Sequence, residues 1–375
     1  MRKIVHVAAA VITRPDGSFL VGQRAADTFY PGYWEFPGGK VEAGETPREA
    51  LIRELHEELD MEVLEAWPWL TREHVYEHAH VSLHFFEVPA WRGEIHDRVH
   101  AALSWQHAET MDVAPMLPAN GPILKALRLP RRMAITQAAE IGIDTQLARL
   151  DQALAGGLRL VQIREPGLPA PDREAFARAV LARTRAAGAI ALINDDVDLA
   201  TRLGADGVHL PARRLAELNT RPDLEWIGAS CHTRDELEQA AALGLDYALL
   251  GAVKPTASHP ERDALGWDAF ADRVRALPLP VLALGGLKPN DLDTAKAHGE
   301  GGAKFIDAAR KAISLPEKEH FYVSAGVRAY FAEHKKRLQA EYHSWQALYA
   351  AWQTENPALA AELFSERFLT KRALL

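Results

Sequence analysis

The chain has 375 residues, of which 48% are apolar and 25% are charged, and its formal net charge is −8. These fractions indicate a globular protein with room for two ordinary domains and a third element. The mildly negative charge argues against a surface for duplex nucleic acid, and no apolar run is long enough to span a membrane. Cys231 is the only cysteine, which excludes an internal disulfide and a cysteine-based zinc site and makes a reducing cytoplasm the expected compartment.

The first predicted domain covers residues 1–130 and alternates short strands with one acidic helix. Strands are predicted at Val5–Ile12 and Phe19–Gly22 from their apolar pattern. Thr46 precedes a proline and is followed three residues later by Glu49, which predicts a capping box at a helix start. The pattern therefore predicts a mixed α/β domain with this helix packed against a sheet.

The acidic helix carries three carboxylates on one face. Glu54, Glu57 and Glu58 lie at helical spacings of i, i+3 and i+4, so their charges repel one another unless a cation lies among them. Hard oxygen ligands of this kind suit Mg²⁺, with Mn²⁺ as the other option. Arg53 is placed to pair with Glu45 and to brace the preceding loop. The alternative is an ordinary solvated helix with acidic pairs.

The segment Gly38–Met61, GGKVEAGETPREALIRELHEELDM, resembles the Nudix box of hydrolases that cut nucleoside diphosphates linked to another group. The resemblance implies a Nudix α/β/α sandwich, a catalytic set on the helix, and a metal held by these carboxylates and a loop carbonyl. The implied metal-binding and catalytic residues are Gly38, Glu45, Arg53, Glu54, Glu57 and Glu58. Asp60 departs from the pattern, which has glycine there, but aspartate tolerates left-handed geometry better than most residues.

Three more positions resemble the MutT-type branch, which hydrolyses oxidised purine nucleoside triphosphates such as 8-oxo-dGTP to the monophosphate and pyrophosphate. The resemblance implies that Arg24 lies near the nucleotide, that Phe36 lines a base pocket and that Asn120 reads the purine edge with its donor and acceptor. The alternatives are a surface arginine, a core aromatic and a turn residue. The branch's further catalytic glutamate falls on Val99 here. The expected role is nucleotide-pool sanitation in support of DNA replication and repair.

Residues 131–305 alternate short apolar strands with helices rich in alanine, leucine and arginine. Repeated βα units predict a TIM-type (β/α) barrel, here without a regular eighth strand. Polar residues follow the strands at their carboxyl ends, where barrel active sites lie.

Those strand ends resemble thiamine phosphate synthase and its TenI-like relatives, with motifs such as Val161–Glu165 and Ala205–Leu210. The resemblance implies that Gln162 and Arg164 contact a pyrimidine diphosphate and that Asp195, beside Asn194, is a Mg²⁺ ligand. It also implies that Thr256, Ser258 and Gly286 form a phosphate site and that His232 supplies an acid/base imidazole.

Three departures weaken the barrel as a synthase: Pro166 and His259 replace expected lysines, and Arg214 replaces a second metal aspartate. Two readings remain open. The barrel is either a thiamine-pathway enzyme, a synthase or a thiazole tautomerase, or a non-catalytic module attached to the hydrolase. Such a module either binds a ligand, such as a thiamine precursor or a phosphate, or serves only as a stabilising scaffold. We favour the second, because losing these charges together should cripple a synthase.

The last segment, residues 306–375, is predicted to form a helical tail. Apolar residues recur at helical spacing along it, and the segment resembles a stretch of transketolases. It lacks that family's diphosphate-binding glycine motif, so no thiamine diphosphate activity is expected. We expect this tail to be poorly packed.

Overall fold

The computed structural model describes residues 3–255, 263–287 and 291–298, and these residues belong to one compact unit. The predictions for Thr256 and Ser258, for the region of an eighth strand and for the tail at 306–375 lie outside the described residues.

The N-terminal part is a mixed α/β domain, as the sequence predicted. Its elements are β1 (Ile4–Ile12), β2 (Phe19–Gln23), β3 (Trp34–Glu35), β4 (Gly38–Lys40), α1 (Pro47–Leu59), β5 (Glu62–Val75), β6 (His80–Arg92), β7 (Ala102–Gln106) and α2 (Gly121–Leu127). A short 3-10 turn, Pro118–Asn120, leads into α2.

Two sheets form this domain. The larger has the order β4-β1-β6-β5, with β1 and β6 parallel, and the smaller has the order β3-β2-β7. Side chains on β1 alternate between the two faces. Ala10 and Ile12 pack in the apolar cluster that includes α1, whereas Ala9 and Val11 pack in the cluster that includes α2. The sheet is therefore covered on both faces.

Helix α1 forms where the local sequence predicts it. The Glu49 N–H donates to Thr46 Oγ1 and the Thr46 N–H donates to the Glu49 carboxylate, which confirms the capping box. Leu51 and Leu55 are fully buried against the sheet. The helix ends at Asp60, whose φ of 57° is the left-handed conformation expected of a residue that replaces glycine there.

The second part consists of successive βα units. Its elements are β8 (Ala134–Ile135), α3 (Ala138–Ile141), α4 (Ile143–Ala155), β9 (Leu160–Ile163), α5 (Ala170–Ala186), β10 (Ile190–Asn194), α6 (Val197–Leu203), β11 (Gly207–Leu210), α7 (Ala212–Glu217), β12 (Trp226–Cys231), α8 (Arg234–Ala242), β13 (Tyr247–Gly251), α9 (Trp267–Val274), β14 (Val281–Leu284) and α10 (Leu292–Ala297).

The seven strands β8 to β14 form one parallel sheet in sequence order. Its helix-facing side is covered by a large apolar cluster, while Leu160, Leu192, Trp226 and Tyr247 fill the opposite, inner side. The predicted TIM-type architecture is thus confirmed as a curled half-barrel, and within the described residues its edge strands do not pair with each other.

The two parts contact each other directly. The backbone N–H of Thr71 on β5 donates to Leu277 O at 2.9 Å, and Arg72 donates to Pro278 O at 2.7 Å. From α2, Lys125 forms an ion pair of 2.6 Å with Asp246. These bonds fix the half-barrel against β5 and α2 of the first part.

None of the helices in the described ranges combines the length and apolar character that crossing a bilayer needs. The limits predicted for the three segments, at residues 130 and 305, stay a proposal.

Candidate functional site

Arg53 organises the acidic face of α1. Its guanidinium bonds Glu45 at 2.7 and 3.0 Å, Glu54 at 2.9 Å and Glu57 at 3.3 Å, and it also donates to Lys40 O at 3.1 Å. The predicted pairing with Glu45 is confirmed. The bond from Arg53 lowers the pKa of Glu45 to about 2, and Glu45 and Glu54 together raise the pKa of Arg53.

The glycines of β4 let the backbone approach these carboxylates. The Gly38 N–H donates to Glu58 Oε2 at 3.3 Å. Gly38 has a φ of 139°, a backbone conformation that residues with a side chain rarely adopt. A β-carbon on Gly39 would lie 2.1 Å from the Glu54 carboxyl carbon. Strand β4 and helix α1 therefore bring the predicted residues Gly38, Glu54 and Glu58 together.

Glu58 is a buried carboxyl group with acidic neighbours. Burial is the main cause that raises its pKa to about 7, and the charge of Glu54 is the next, followed by smaller contributions from Glu35 and Asp97. A carboxyl group with these neighbours is stabilised when a cation enters. Gly39 leaves space for the Glu54 carboxylate. The carboxylate oxygens of Glu54, Glu57 and Glu58 form a donor set that fits a hard divalent cation.

The carboxylates are not gathered as a preformed metal site. Across residues 3–255, 263–287 and 291–298, no group of three or more histidine, cysteine, aspartate and glutamate side chains is placed to hold a metal ion. The metal-binding role of Glu54, Glu57 and Glu58 therefore stays a prediction. In this arrangement the Arg53 guanidinium pairs with Glu54 and Glu57.

The predicted substrate residues lie in different surroundings. Arg24 pairs with both oxygens of Glu35, at 2.6 and 2.7 Å, and donates to Phe29 O. Burial raises the pKa of Glu35, although Arg24 opposes that shift. Phe36 is only 4% exposed and packs against Phe19 and Phe85. This position gives Phe36 the contacts of a core aromatic.

Asn120 has the surroundings of a binding residue. It is 4% exposed, and its amide Nδ2 is buried without a hydrogen-bond partner. The adjacent backbone of Ala119 bonds the Tyr76 hydroxyl. An unpaired buried donor costs free energy, so a ligand acceptor would compensate it.

Beside Asn120 lies an aromatic cluster that the sequence analysis missed: Phe29, Tyr30, Tyr33, Tyr76 and His78. Phe29 is 66% exposed and stacks on His78, with the ring centroids 4.3 Å apart and an angle of 6° between the ring planes. The ring of Tyr30 packs against those of Tyr33, Tyr76 and His78, with centroid distances of 5.3 to 5.9 Å. The only sequence signal was the density of aromatic residues at 28–34 and of histidines around Tyr76 at 74–80.

The loop that holds Val99 crosses the end of α1. Val99 is 49% exposed, whereas the neighbouring Asp97 bonds the backbone of Val99 and both the backbone and the ring of His100. The Arg98 N–H donates to Glu58 O at 3.0 Å. Asp97 is thus the carboxylate that this loop places within electrostatic reach of Glu58.

In the half-barrel, β9 and β10 bring two predicted residues together. Gln162 Nε2 donates to Asn194 Oδ1 at 2.8 Å, while Gln162 Oε1 is buried without a partner. Arg164 follows on β9, with its backbone N–H bonded to Thr136 and its side chain exposed.

Asp195, the predicted Mg²⁺ ligand, is paired with two arginines. Arg213 bonds Oδ2, and Arg214 Nε lies 3.3 Å from Oδ1 without the alignment of a hydrogen bond. The resemblance-based metal role of Asp195 is therefore not supported by its contacts.

His232 and Gly286 do not join these residues through any bond. The His232 N–H and ring contact Glu236 on α8, and its carbonyl accepts from Arg273. Gly286 has a φ of 64°, and a β-carbon there would meet Pro255 O at 2.3 Å.

A buried polar chain inside the half-barrel was also missed. His209 bonds the Tyr247 hydroxyl through Nδ1 and Ser230 Oγ through Nε2, both at 2.8 Å. Its signal was a histidine inside an otherwise apolar strand.

Three family models match the chain. NUDIX domain matches residues 3–127, thiamine monophosphate synthase matches 132–309, and the thiamine diphosphate binding domain of transketolase matches 281–371. The last two overlap at 281–309. The transketolase of Physarum polycephalum is 55% identical over 74 residues, which cover 20% of this chain and only 11% of that protein.

A putative thiamine-phosphate synthase of Geobacter sulfurreducens is 41% identical over 178 residues, which cover 46% of this chain and 84% of that protein. A MutT structure from work on Aliivibrio salmonicida and Vibrio cholerae is 31% identical and covers 33% of this chain and 97% of its own, but its TM-score of 0.30 supports no statement about the fold. The chain therefore belongs to the thiamine monophosphate synthase family and carries, ahead of that domain, a NUDIX domain of hydrolases that act on pyrophosphate bonds.

Proposed function

We propose that the NUDIX domain hydrolyses oxidised purine nucleoside triphosphates such as 8-oxo-dGTP to the monophosphate and pyrophosphate, in nucleotide-pool sanitation. Asn120 carries the proposal, because its Nδ2 is buried and unpaired and the neighbouring backbone of Ala119 bonds Tyr76 of the aromatic cluster. A purine ring can stack on that cluster while its edge accepts from Asn120.

Glu35 connects the purine end with the acidic helix. Its charge contributes to raising the pKa of both Tyr76 and Glu58, so it lies within electrostatic reach of the aromatic cluster and of α1. Arg24, bonded to Glu35, has further N–H donors for a phosphate or sugar oxygen. A nucleotide bound at Asn120 would thus extend its phosphates toward Glu58.

The reaction adds water across the bond between the α- and β-phosphorus groups, so one P–O bond forms and one breaks. When bound, Mg²⁺ offsets the charge of the leaving pyrophosphate. Glu57, whose side chain is 58% exposed, is available to accept the proton of the attacking water. Arg53 keeps Glu54 and Glu57 oriented until the substrate binds.

The test measures pyrophosphate release from 8-oxo-dGTP and dGTP with Mg²⁺ for the full chain. Glu57→Gln should lower kcat about 100-fold, the scale of general-base catalysis. The matched control is Glu62→Gln, since Glu62 is exposed and pairs with Arg92 on the surface. Mg²⁺ should also raise the Tm of the control more than that of Glu57→Gln. Equal activity of the two variants, or equal rates with dGTP, would contradict the proposal.

A second candidate function belongs to the barrel. We infer that Gln162, with its unpaired Oε1, contacts a thiamine precursor, either as part of a synthase or tautomerase or in a non-catalytic module. Formation of thiamine phosphate from the two precursor phosphates distinguishes these readings. The paired state of Asp195 favours binding without synthesis, and rapid turnover that Gln162→Leu abolishes would favour the enzyme.

A further inference from the structure

The carboxyl ends of β10 and β11 do not fit the divalent metal that the thiamine phosphate synthase resemblance implies. Asp195 is the first expected ligand, and Arg214 stands at the position of the second carboxylate. Arg213 bonds one oxygen of Asp195, and Arg214 lies 3.3 Å from the other. Both carboxylate oxygens face a guanidinium, so positive charge already occupies the place of a cation.

The backbone holds this arrangement at the carboxyl ends of the strands of the half-barrel. Asp195 follows β10 with a φ of 62°, and its N–H donates to His209 O on β11 at 2.9 Å. Both arginines lie on α7, which begins two residues after β11. Arg164 follows β9, and parallel strands end at the same edge of a sheet, so a third arginine lies at this end.

The arginines have donors to spare. Each guanidinium carries five N–H groups and stays charged at any relevant pH, and Asp195 engages one nitrogen of each. The side chains of Arg213 and Arg214 are 68% and 48% exposed. Glu217 is an exposed competitor at 3.6 Å from Arg214, beyond hydrogen-bond distance. Planar, bidentate donors of this kind suit phosphate oxygens.

A second observation at the same end indicates a ligand. Gln162 is 2% exposed and its Oε1 has no partner, while its Nε2 bonds Asn194, the residue before Asp195. A buried acceptor of this kind is satisfied by a ligand N–H, as in an amino-substituted heterocycle. Phosphate at the arginines and a heterocycle at Gln162 would occupy the two ends of one small molecule.

We propose that the barrel binds a phosphorylated heterocycle without a divalent cation, with the Arg213 and Arg214 guanidinium groups in the place of the metal. The proposal is independent of hydrolysis by the NUDIX domain. It requires that anion binding at the barrel persists when divalent ions are removed.

The test is isothermal titration of the full chain with inorganic phosphate in EDTA. Wild type should bind, and Arg213→Gln/Arg214→Gln should weaken binding at least about tenfold, the scale of one charge-assisted contact. The matched control is Arg178→Gln/Arg202→Gln, because these two exposed arginines also pair with one carboxylate, that of Glu174. The control should bind phosphate as wild type does.

A second variant tests the exchange of cation directly. Arg214→Asp restores a carboxylate pair, so it should lose phosphate binding in EDTA and gain a Mn²⁺ site visible by electron paramagnetic resonance. The measurement uses a Glu57→Gln background so that α1 contributes less Mn²⁺ signal. Phosphate binding that needs Mg²⁺ in wild type, or that survives Arg213→Gln/Arg214→Gln in a protein with unchanged circular dichroism, would overturn the proposal.

Discussion

Gly39 and Glu54 are in such close contact that a β-carbon on Gly39 would lie 2.1 Å from the Glu54 carboxyl carbon. The glycine is needed for space, since its φ is not in the left-handed region. Strand β4 is thereby fitted to a carboxylate of α1, and any side chain at residue 39 must displace that carboxylate.

Gly39→Ala should therefore impair hydrolysis more than folding. The obstructed atoms belong to a side-chain end that can move, so we expect Tm to change by only a few degrees, while kcat/KM falls at least about tenfold, equivalent to about 1.4 kcal/mol. Gly156→Ala is the control, because a β-carbon there keeps contacts of 3.4 Å. Wild-type activity in Gly39→Ala would show that the position of Glu54 does not matter.

Asn120→Ala separates a binding residue from a structural one. The Nδ2 group is buried and unpaired, so removing it should leave Tm unchanged or raise it slightly. The kcat/KM for 8-oxo-dGTP should fall about 10- to 100-fold, the scale of one or two hydrogen bonds. A Tm loss of many degrees with unchanged purine preference would assign Asn120 to the fold instead.

Tyr247→Phe should destabilise the half-barrel. The Tyr247 hydroxyl bonds His209 Nδ1 at 2.8 Å, and burial raises the pKa of Tyr247 well above its usual range, so the neutral phenol is the bonding form. We expect a loss of about 1–3 kcal/mol, because a buried polar partner loses its bond. Denaturant titration measures it, and 8-oxo-dGTP hydrolysis, which we propose for the NUDIX domain, should not change.

Cys231 should resist alkylation in the native protein. It is 1% exposed, and burial raises the pKa of its thiol to about 12, so the reactive thiolate is absent at pH 8. Iodoacetamide followed by mass spectrometry should leave it unmodified until guanidinium unfolds the chain. Rapid modification of the folded protein at pH 8 would mean that β12 opens readily.

Local signals in the sequence predicted local structure well. The capping box of Thr46, the pairing of Arg53 with Glu45 and the left-handed Asp60 each depend on residues that lie close together in the sequence. The repeated βα pattern likewise predicted the parallel sheet, because each strand is short, apolar and bounded by a helix.

Features that depend on distant partners could not be predicted. Strand β5 was missed because its pattern is broken by Pro68 and by register shifts against β6. Arg24 was expected near nucleotide, but its pairing with Glu35 depends on how a loop folds back. Asp195 was carried over as a metal ligand, and only the placement of α7 shows the guanidinium groups that neutralise it.

The ion pair between Lys125 and Asp246 bears on how the two domains can be studied apart. Asp246, whose side chain is 8% exposed, also bonds Arg221 and the Ile227 N–H. Lys125 therefore adds a second cation to a buried carboxylate that is already held in place. Cutting the chain after α2 would remove that cation and expose the backbone that Thr71 and Arg72 now bond. Truncated halves would thus differ from the same halves within the whole chain, and point substitutions are the cleaner way to test one domain at a time.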